Sequence, residues 1–270
     1  AYFNLGSILK DLGNLKEAEI STRKAIELNP NFAQAYFNLG SILKDLGKLE
    51  EAEIFTRKAI EIKPNDAHGY SNLGVILKDL GNLKEAEIST RKAIELKPNF
   101  ADVHLNLGAT LKGLGKLKEA ELSYRKAIEI NPHLAEAHLN LGNIQIELDK
   151  LKEAECAYNQ ALKLDPNNLE YNIKSKLLIS PIQLNVEQII KERNNYKKQI
   201  RLIDNNKELV FNGKSFSINT FYLAYHNHND DRNILEGLAK SLSNVKGIIN
   251  KSFNKKEHIA NSYKRKGIRI

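Results

Sequence analysis

The chain has 270 residues, 41% hydrophobic and 27% charged, with one cysteine, no methionine and no tryptophan, the composition of a folded, water-exposed protein rather than a disordered one. It excludes a disulfide framework, because Cys156 has no partner in the chain, and "LLISPI" at 177–182 is far short of the roughly 20 apolar residues of a membrane helix. Net charge is uneven: residues 1–168 hold 22 Lys/Arg against 24 Asp/Glu, and residues 169–270 hold 19 against 9.

In chain order, the opening phrase "AYFNLGSILKDLG" (1–13) returns unchanged at 35–47. Its apolar positions Tyr36, Leu39, Ile42, Leu43 and Leu46 step by three and four, which predicts one buried helical face. "NLKEAEISTRKAIEL" (14–28, repeated at 82–96) predicts a second helix with Leu15, Ala18, Ile26 and Leu28 on its buried side. Gly40 and Ala52 are small enough for the two helices of a unit to cross closely. Gly47 is placed to end the first helix in the left-handed conformation, and Pro64 marks the end of the second.

The step is fixed. Pro30, Pro64, Pro98, Pro132 and Pro166 are each 34 residues apart, as are Gly6, Gly40, Gly74, Gly108 and Gly142 and the alanine series 18 to 154 and 25 to 161. With Leu39, Gly40, Ala52, Ala59 and Pro64 at these intervals, residues 1–168 resemble five tetratricopeptide repeats. The resemblance implies an all-α, right-handed α-solenoid in which stacking hides the apolar flanks of each hairpin. The fifth unit drifts, with Gln145 in place of Leu and Asp149 in place of Gly. Ala1 aligns with the third position of its unit, so the chain reads as a fragment with repeats upstream. Cys156 reads as a small core filler, and its isolation favours a reducing, cytoplasmic setting.

In such an array the first helix of every hairpin lines the concave wall. Asn4, Asn38, Asn72, Asn106 and Asn140 share one position on it, where carboxamides can pair with the backbone of an extended peptide or serve contacts within the array. Four residues earlier the series reads Gln34, His68, Asp102, Glu136 and Glu170. The acids Asp102, Glu136 and Glu170 are placed either to favour basic or hydroxyl-bearing partners or to stabilise the positive ends of their own helices.

Beyond Pro166 the period stops. Residues 169–204 read as capping and linker helices: "LEYNIKSKLLIS" (169–180), with Lys174 and Lys176 where Asn and Gly would fall, then "NVEQIIKERNNYKKQIRLI" (185–203), with Val186, Ile189, Ile190 and Ile200 as its apolar face. Residues 205–265 read as mixed linker, mostly helical with short strands as a minor element, including a turn at Asn212-Gly213 and a helix from about Asp231. "HNHNDD" (226–231) reads as a turn and helix cap rather than a metal site. No phosphate loop, catalytic triad or carboxylate pair stands out, and the basic last third reads as a solvated surface or, less simply, a polyanion-binding one.

"SKLLIS" (175–180), "EQIIKER" (187–193), "TFYLAYHNHND" (220–230) and "KGIRI" (266–270) resemble, in that order, the segment joining repeats to catalysis in O-linked N-acetylglucosamine transferases and SPINDLY-like glycosyltransferases. The resemblance implies that residues 266–270 begin a catalytic lobe, which would use a nucleotide sugar (UDP-GlcNAc) and whose active-site residues lie past Ile270, so that this chain alone is non-catalytic. It also implies that the Asn series and the acids Asp102, Glu136 and Glu170 orient polypeptide substrates. "EQIIKER" lacks the His that often follows the family's Glu, and Lys174 interrupts the ladder. The alternative is a scaffold for protein assembly with no associated enzyme.

Overall fold

In a computed structural model the described residues are 1–177, 186–206, 208–210, 231–243 and 245. They divide into two compact units, Ala1–Lys150 and Leu151–Ile270.

The first unit is a stack of antiparallel helices. Its inner helices are α1 (Tyr2–Asp11), α3 (Ala33–Asp45), α5 (Ala67–Asp79), α7 (Ala101–Gly113) and α9 (Ala135–Glu147), and its outer helices are α2 (Leu15–Leu28), α4 (Leu49–Ile62), α6 (Leu83–Leu96) and α8 (Leu117–Ile130). Each outer helix packs on the inner helix before it and on the one after it. Consecutive inner helices also touch, α1 with α3, α3 with α5, α5 with α7 and α7 with α9, which gathers them on one wall. This is the repeated α-solenoid geometry that the 34-residue period predicts.

The small residues do what the sequence asks of them. A Cβ on Gly40 would overlap Thr56 Oγ1 and come within 3.3 Å of the Ala52 carbonyl oxygen, so the crossing has no room for a side chain. The inner helices end as expected: Gly47 has φ +77°, and Asp149, at the equivalent place in the fifth repeat, takes φ +59° despite its side chain. Stacking is visible by comparing identical residues. Tyr36, Leu39 and Ile42 of α3 are at most 9% exposed, whereas their counterparts Tyr2, Leu5 and Ile8 of α1, with no hairpin ahead of them, are 45–56% exposed. Each aliphatic side chain so covered is worth about 1.5–3 kcal/mol.

An ion-pair lattice runs over the outer helices. Within a repeat Arg23 pairs with Glu19, Arg57 with Glu53, Arg91 with Glu87 and Arg125 with Glu121. Between repeats Arg23, Arg57 and Arg91 reach Glu51, Glu85 and Glu119 at 2.8–2.9 Å. Lys48, Lys116 and Lys150 reach back to Glu19, Glu87 and Glu121 at 2.6–2.9 Å. Asn82 occupies the corresponding place between the second and third repeats. For Glu19 and Glu121, burial works to raise the carboxyl pKa, but hydrogen bonds from lysine and arginine outweigh it and hold the group below the usual glutamate range. Lys116 chiefly does the same for Glu87.

The second unit comprises α10 (Leu151–Leu164), α11 (Leu169–Lys176), α12 (Val186–Asn205) and α13 (Asp231–Ser243), packed α10 on α11, α11 on α12 and α12 on α13. One core joins Leu169, Ile173 and Leu177 with Tyr196, Ile200, Ile203, Leu209, Ile234, Leu238, Leu242 and Val245. The Asn168 side chain caps α11 by accepting from the N–H groups of Glu170 and Tyr171. Residues 208–210 return to this turn: Val210 N–H donates to the Asn167 carbonyl at 2.9 Å and Leu169 N–H to the Val210 carbonyl at 3.0 Å. That bridge is the strand-like pairing found among the described residues.

Three packing expectations need correction. Cys156 is exposed on α10 rather than filling a core. Leu28 is 66% exposed, because it lies about 80° round the helix from the line through Ala18 and Ala25. In α12, Ile200 is buried as expected but Ile190 is 46% exposed, and Ile200 shares its buried face with Arg193, Tyr196 and Ile203, a three-and-four spacing starting one turn later. The asparagine-glycine turn, "HNHNDD" up to its last residue, all of "TFYLAYHNHND" and "KGIRI" lie outside the described residues.

Candidate peptide-binding groove

The wall of inner helices carries the asparagine series. Asn4 is exposed, and Asn38, Asn72, Asn106 and Asn140 are half-buried on adjoining helices, so the structure brings the five together as one row in the first unit. Their surroundings differ. The Asn38 amide nitrogen donates to Ser7 Oγ and to Thr22 Oγ1, both at 3.4 Å, and so serves a contact within the stack. At the position of Ser7 the later repeats have Ser41, Val75 and Ala109. Ser41 already accepts from Lys10 Nζ at 2.7 Å, and Val75 and Ala109 offer no acceptor. Among the described residues the side-chain amides of Asn72, Asn106 and Asn140 accordingly make no hydrogen bond within the protein.

The second series divides. Asp102 and Glu136 are exposed in the first turns of neighbouring helices α7 and α9, each acid at the positive end of its helix dipole. Glu170 holds the same place in α11 but belongs to the second compact unit, where it is half-buried. Gln34 and His68 are exposed, and the His68 ring lies 4.8 Å from that of Phe100, itself under Lys97 Nζ at 4.4 Å. Beneath the acidic end, buried Tyr124 fills the space left by Gly108. Burial, and then the charges of Glu136 and Glu147, raise its pKa far above the ordinary tyrosine range.

Sequence reasoning did not single out a third row. Lys10, Lys44, Lys78 and Lys112 stand in the last turns of α1, α3, α5 and α7. Lys44 and Lys78 pair with Asp45 and Asp79, and Lys112 with Glu147 at 2.8 Å. The 34-residue step in lysine was the signal that would have found it. The wall therefore presents hydrogen-bonding amides between charges of both signs, chemistry suited to holding a polypeptide. No group of three or more His, Cys, Asp or Glu placed to hold a metal occurs among the described residues. No helix among the described residues is long and apolar enough to cross a membrane.

Models of the tetratricopeptide repeat match residues 1–32, 33–66, 67–100, 101–134 and 135–168. Among solved structures, the chain is similar to YrrB, described as a TPR protein with an unusual peptide-binding site: 25% identity, 66% of this chain and 91% of that one, TM-score 0.53. A thermophilic TPR protein of Thermus thermophilus is 24% identical over 64% of this chain and 95% of its own, TM-score 0.55. MamA from Desulfovibrio magneticus RS-1, residue 41 to its end, is 21% identical over 61% and 93%, TM-score 0.56. No curated protein matches the chain by sequence.

Proposed function

We propose, because this chain belongs to the tetratricopeptide repeat family, that its inner wall captures an extended polypeptide through the backbone of that ligand. The observation that carries the reading is the row of half-buried amides at Asn72, Asn106 and Asn140, which make no hydrogen bond among the described residues. A group so placed gains from a ligand's peptide bonds whatever the side chains. The unusual peptide-binding site of YrrB supports the same use of a similar array. Asp102 and Glu136 add a preference for basic or hydroxyl-bearing segments at that end of the wall.

The reading predicts that replacing Asn72 and Asn106 together by Ala lowers affinity for captured peptides by roughly tenfold, since each lost hydrogen bond is worth about 0.5–1.5 kcal/mol. The melting temperature should stay unchanged, because neither amide holds the stack together. Equal binding by the double variant, measured by titration calorimetry, would remove the row from the account. Asn38→Ala is the contrasting case, expected to shift stability as well through Ser7 and Thr22.

The finer part of the proposal is that the captured polypeptide is presented to a protein O-glycosyltransferase domain that uses a nucleotide sugar. Its support is the order of the four linker phrases between 175 and 270, together with the Asn and acid series. No residue of this chain is assigned to the sugar nucleotide. The coding sequence after Ile270 tests it: a "GFVS"-like strand followed by His supports it, and a stop codon or another repeat rejects it in favour of a scaffold without an enzyme.

A further inference from the structure

Successive repeats of the first unit are not tied equally to one another. Between the first and second, Arg23 reaches Glu51 and Lys48 reaches Glu19 on the outer side. On the inner side Asn38 donates to Ser7 and Thr22, Lys10 donates to Ser41 at 2.7 Å, and the rings of Phe32 and Phe3 meet at 4.9 Å. Between the third and fourth, Arg91 pairs with Glu119 and Lys116 with Glu87, while the Phe100 ring lies 4.8 Å from that of His68. Between the fourth and fifth, Lys150 reaches Glu121 and Lys112 reaches Glu147.

The joint between the second and third repeats lacks these ties one after another. Asn82 stands where Lys48, Lys116 and Lys150 stand elsewhere. Asp66 replaces the phenylalanine that precedes α3 and α7, and its carboxylate turns to its own connection, accepting from the His68 N–H at 2.9 Å and from Lys63 Nζ at 2.8 Å. Among the described residues the ion pair left between α4 and α6 is Arg57–Glu85, whose side chains are both well exposed, where water weakens such a pair. The remaining contact is apolar. The Phe37 ring fills the space over Gly69, where a Cβ would overlap it, and Ile76 packs with Leu39, Leu43 and Ala52. Apolar contact is non-directional and survives a small rotation, whereas a bond of fixed length and angle does not. We infer that this joint is the hinge of the first unit, about which α1 to α4 turn as one body against α5 to α9. The axis falls between Asn38, engaged within the stack, and Asn72, so turning widens or narrows the inner wall between those two rungs. The motion belongs to the free protein and stands or falls separately from peptide capture.

Distances between spin labels on the 270-residue chain test the hinge. In a Cys156→Ser background, three cysteine pairs at equivalent places each straddle one joint: Lys24→Cys with Lys58→Cys, Lys58→Cys with Lys92→Cys, and Lys92→Cys with Lys126→Cys. These lysines pair with Glu27, Glu61, Glu95 and Glu129 of their own helices, so labelling cuts no tie between repeats. In double electron–electron resonance the middle pair is expected to give a distance distribution roughly twice as broad as either of the others. Asn82→Lys should narrow it to match them; the Asn82 side chain makes no capping bond to α6, so the change removes none. Lys116→Asn, the converse change, should broaden the third pair. Equal widths in the parent, or a broadest distribution across another joint, overturn the inference. So does a middle pair unmoved by Asn82→Lys or a third pair unmoved by Lys116→Asn.

Discussion

Leu39 in the first unit has counterparts in Leu73, Leu107 and Leu141, all at most 6% exposed, each shielded in the same way by the hairpin before it. Ile173 and Leu238 in the second unit have no such counterparts; they meet in one cluster to which α11, α12, α13 and the segments around Leu209 and Val245 all contribute. The first unit distributes its stability over equivalent interfaces, so damage to one should remain near that interface. The second depends on a core made once, so damage anywhere in it should reach every helix that shares it.

The sharpest way to break this contrast is Ile173→Ala, which removes a side chain 2% exposed and should cost about 2–5 kcal/mol. Hydrogen exchange should then rise together across 169–177, 196–203 and 234–242 while the amides of α3 to α8 keep their protection. Next in size is Gly74→Val: its Cβ would overlap Thr90 Oγ1 and lie 3.4 Å from the Ala86 carbonyl oxygen, at a cost of about 1–3 kcal/mol. Exchange should quicken in α5 and α6 first, and uniform melting of the whole chain would contradict local control.

Acid sharpens the comparison from another side. Glu19, Glu87 and Glu121 have pKa values lowered from 4.5 in the folded protein. Depressed folded values mean that their contribution is complete above the unfolded value and is lost as pH falls through the folded one. Thermal melts between pH 6 and 3 should therefore show the first unit losing stability below about pH 4.5, with added salt blunting the loss's magnitude because the lattice is already screened. The smallest effect belongs to Asn82→Lys. It supplies an amine where Lys48, Lys116 and Lys150 stand in other repeats, within reach of Glu53. A gain of about 0.2–1 kcal/mol is expected, read as a rise of a few degrees at most in the melting temperature.

How much of this was legible in sequence follows the same division. The 34-residue step located hairpins, crossings and helix ends, because each rests on a backbone or volume demand that one residue type meets, as at Gly40 and Gly47. It also placed the five asparagines on one wall. It did not say that Asn38 is engaged by Ser7 and Thr22 while its successors are not, since that depends on which side chain the preceding repeat sets opposite. Leu28, Ile190 and Cys156 were misplaced for a related reason: apolar character alone does not say which way round a helix its neighbours lie. In the second unit no repetition averages out such choices, and the contact of Val210 with the turn before α11 had no signal at all. Glu170 shows the limit for the site, continuing the acid series in sequence while standing in a different compact unit.

The glycine-to-threonine crossing recurs at Gly6 with Thr22, Gly40 with Thr56 and Gly74 with Thr90. Between hairpins the pairing recurs too, Arg23 with Glu51 and Arg57 with Glu85, so excising residues 33–66 would set Arg23 opposite Glu85, a pair of the kind already present. The length of the inner wall is thus a quantity that can be shortened or extended in whole rungs, like a ruler cut only at its marks.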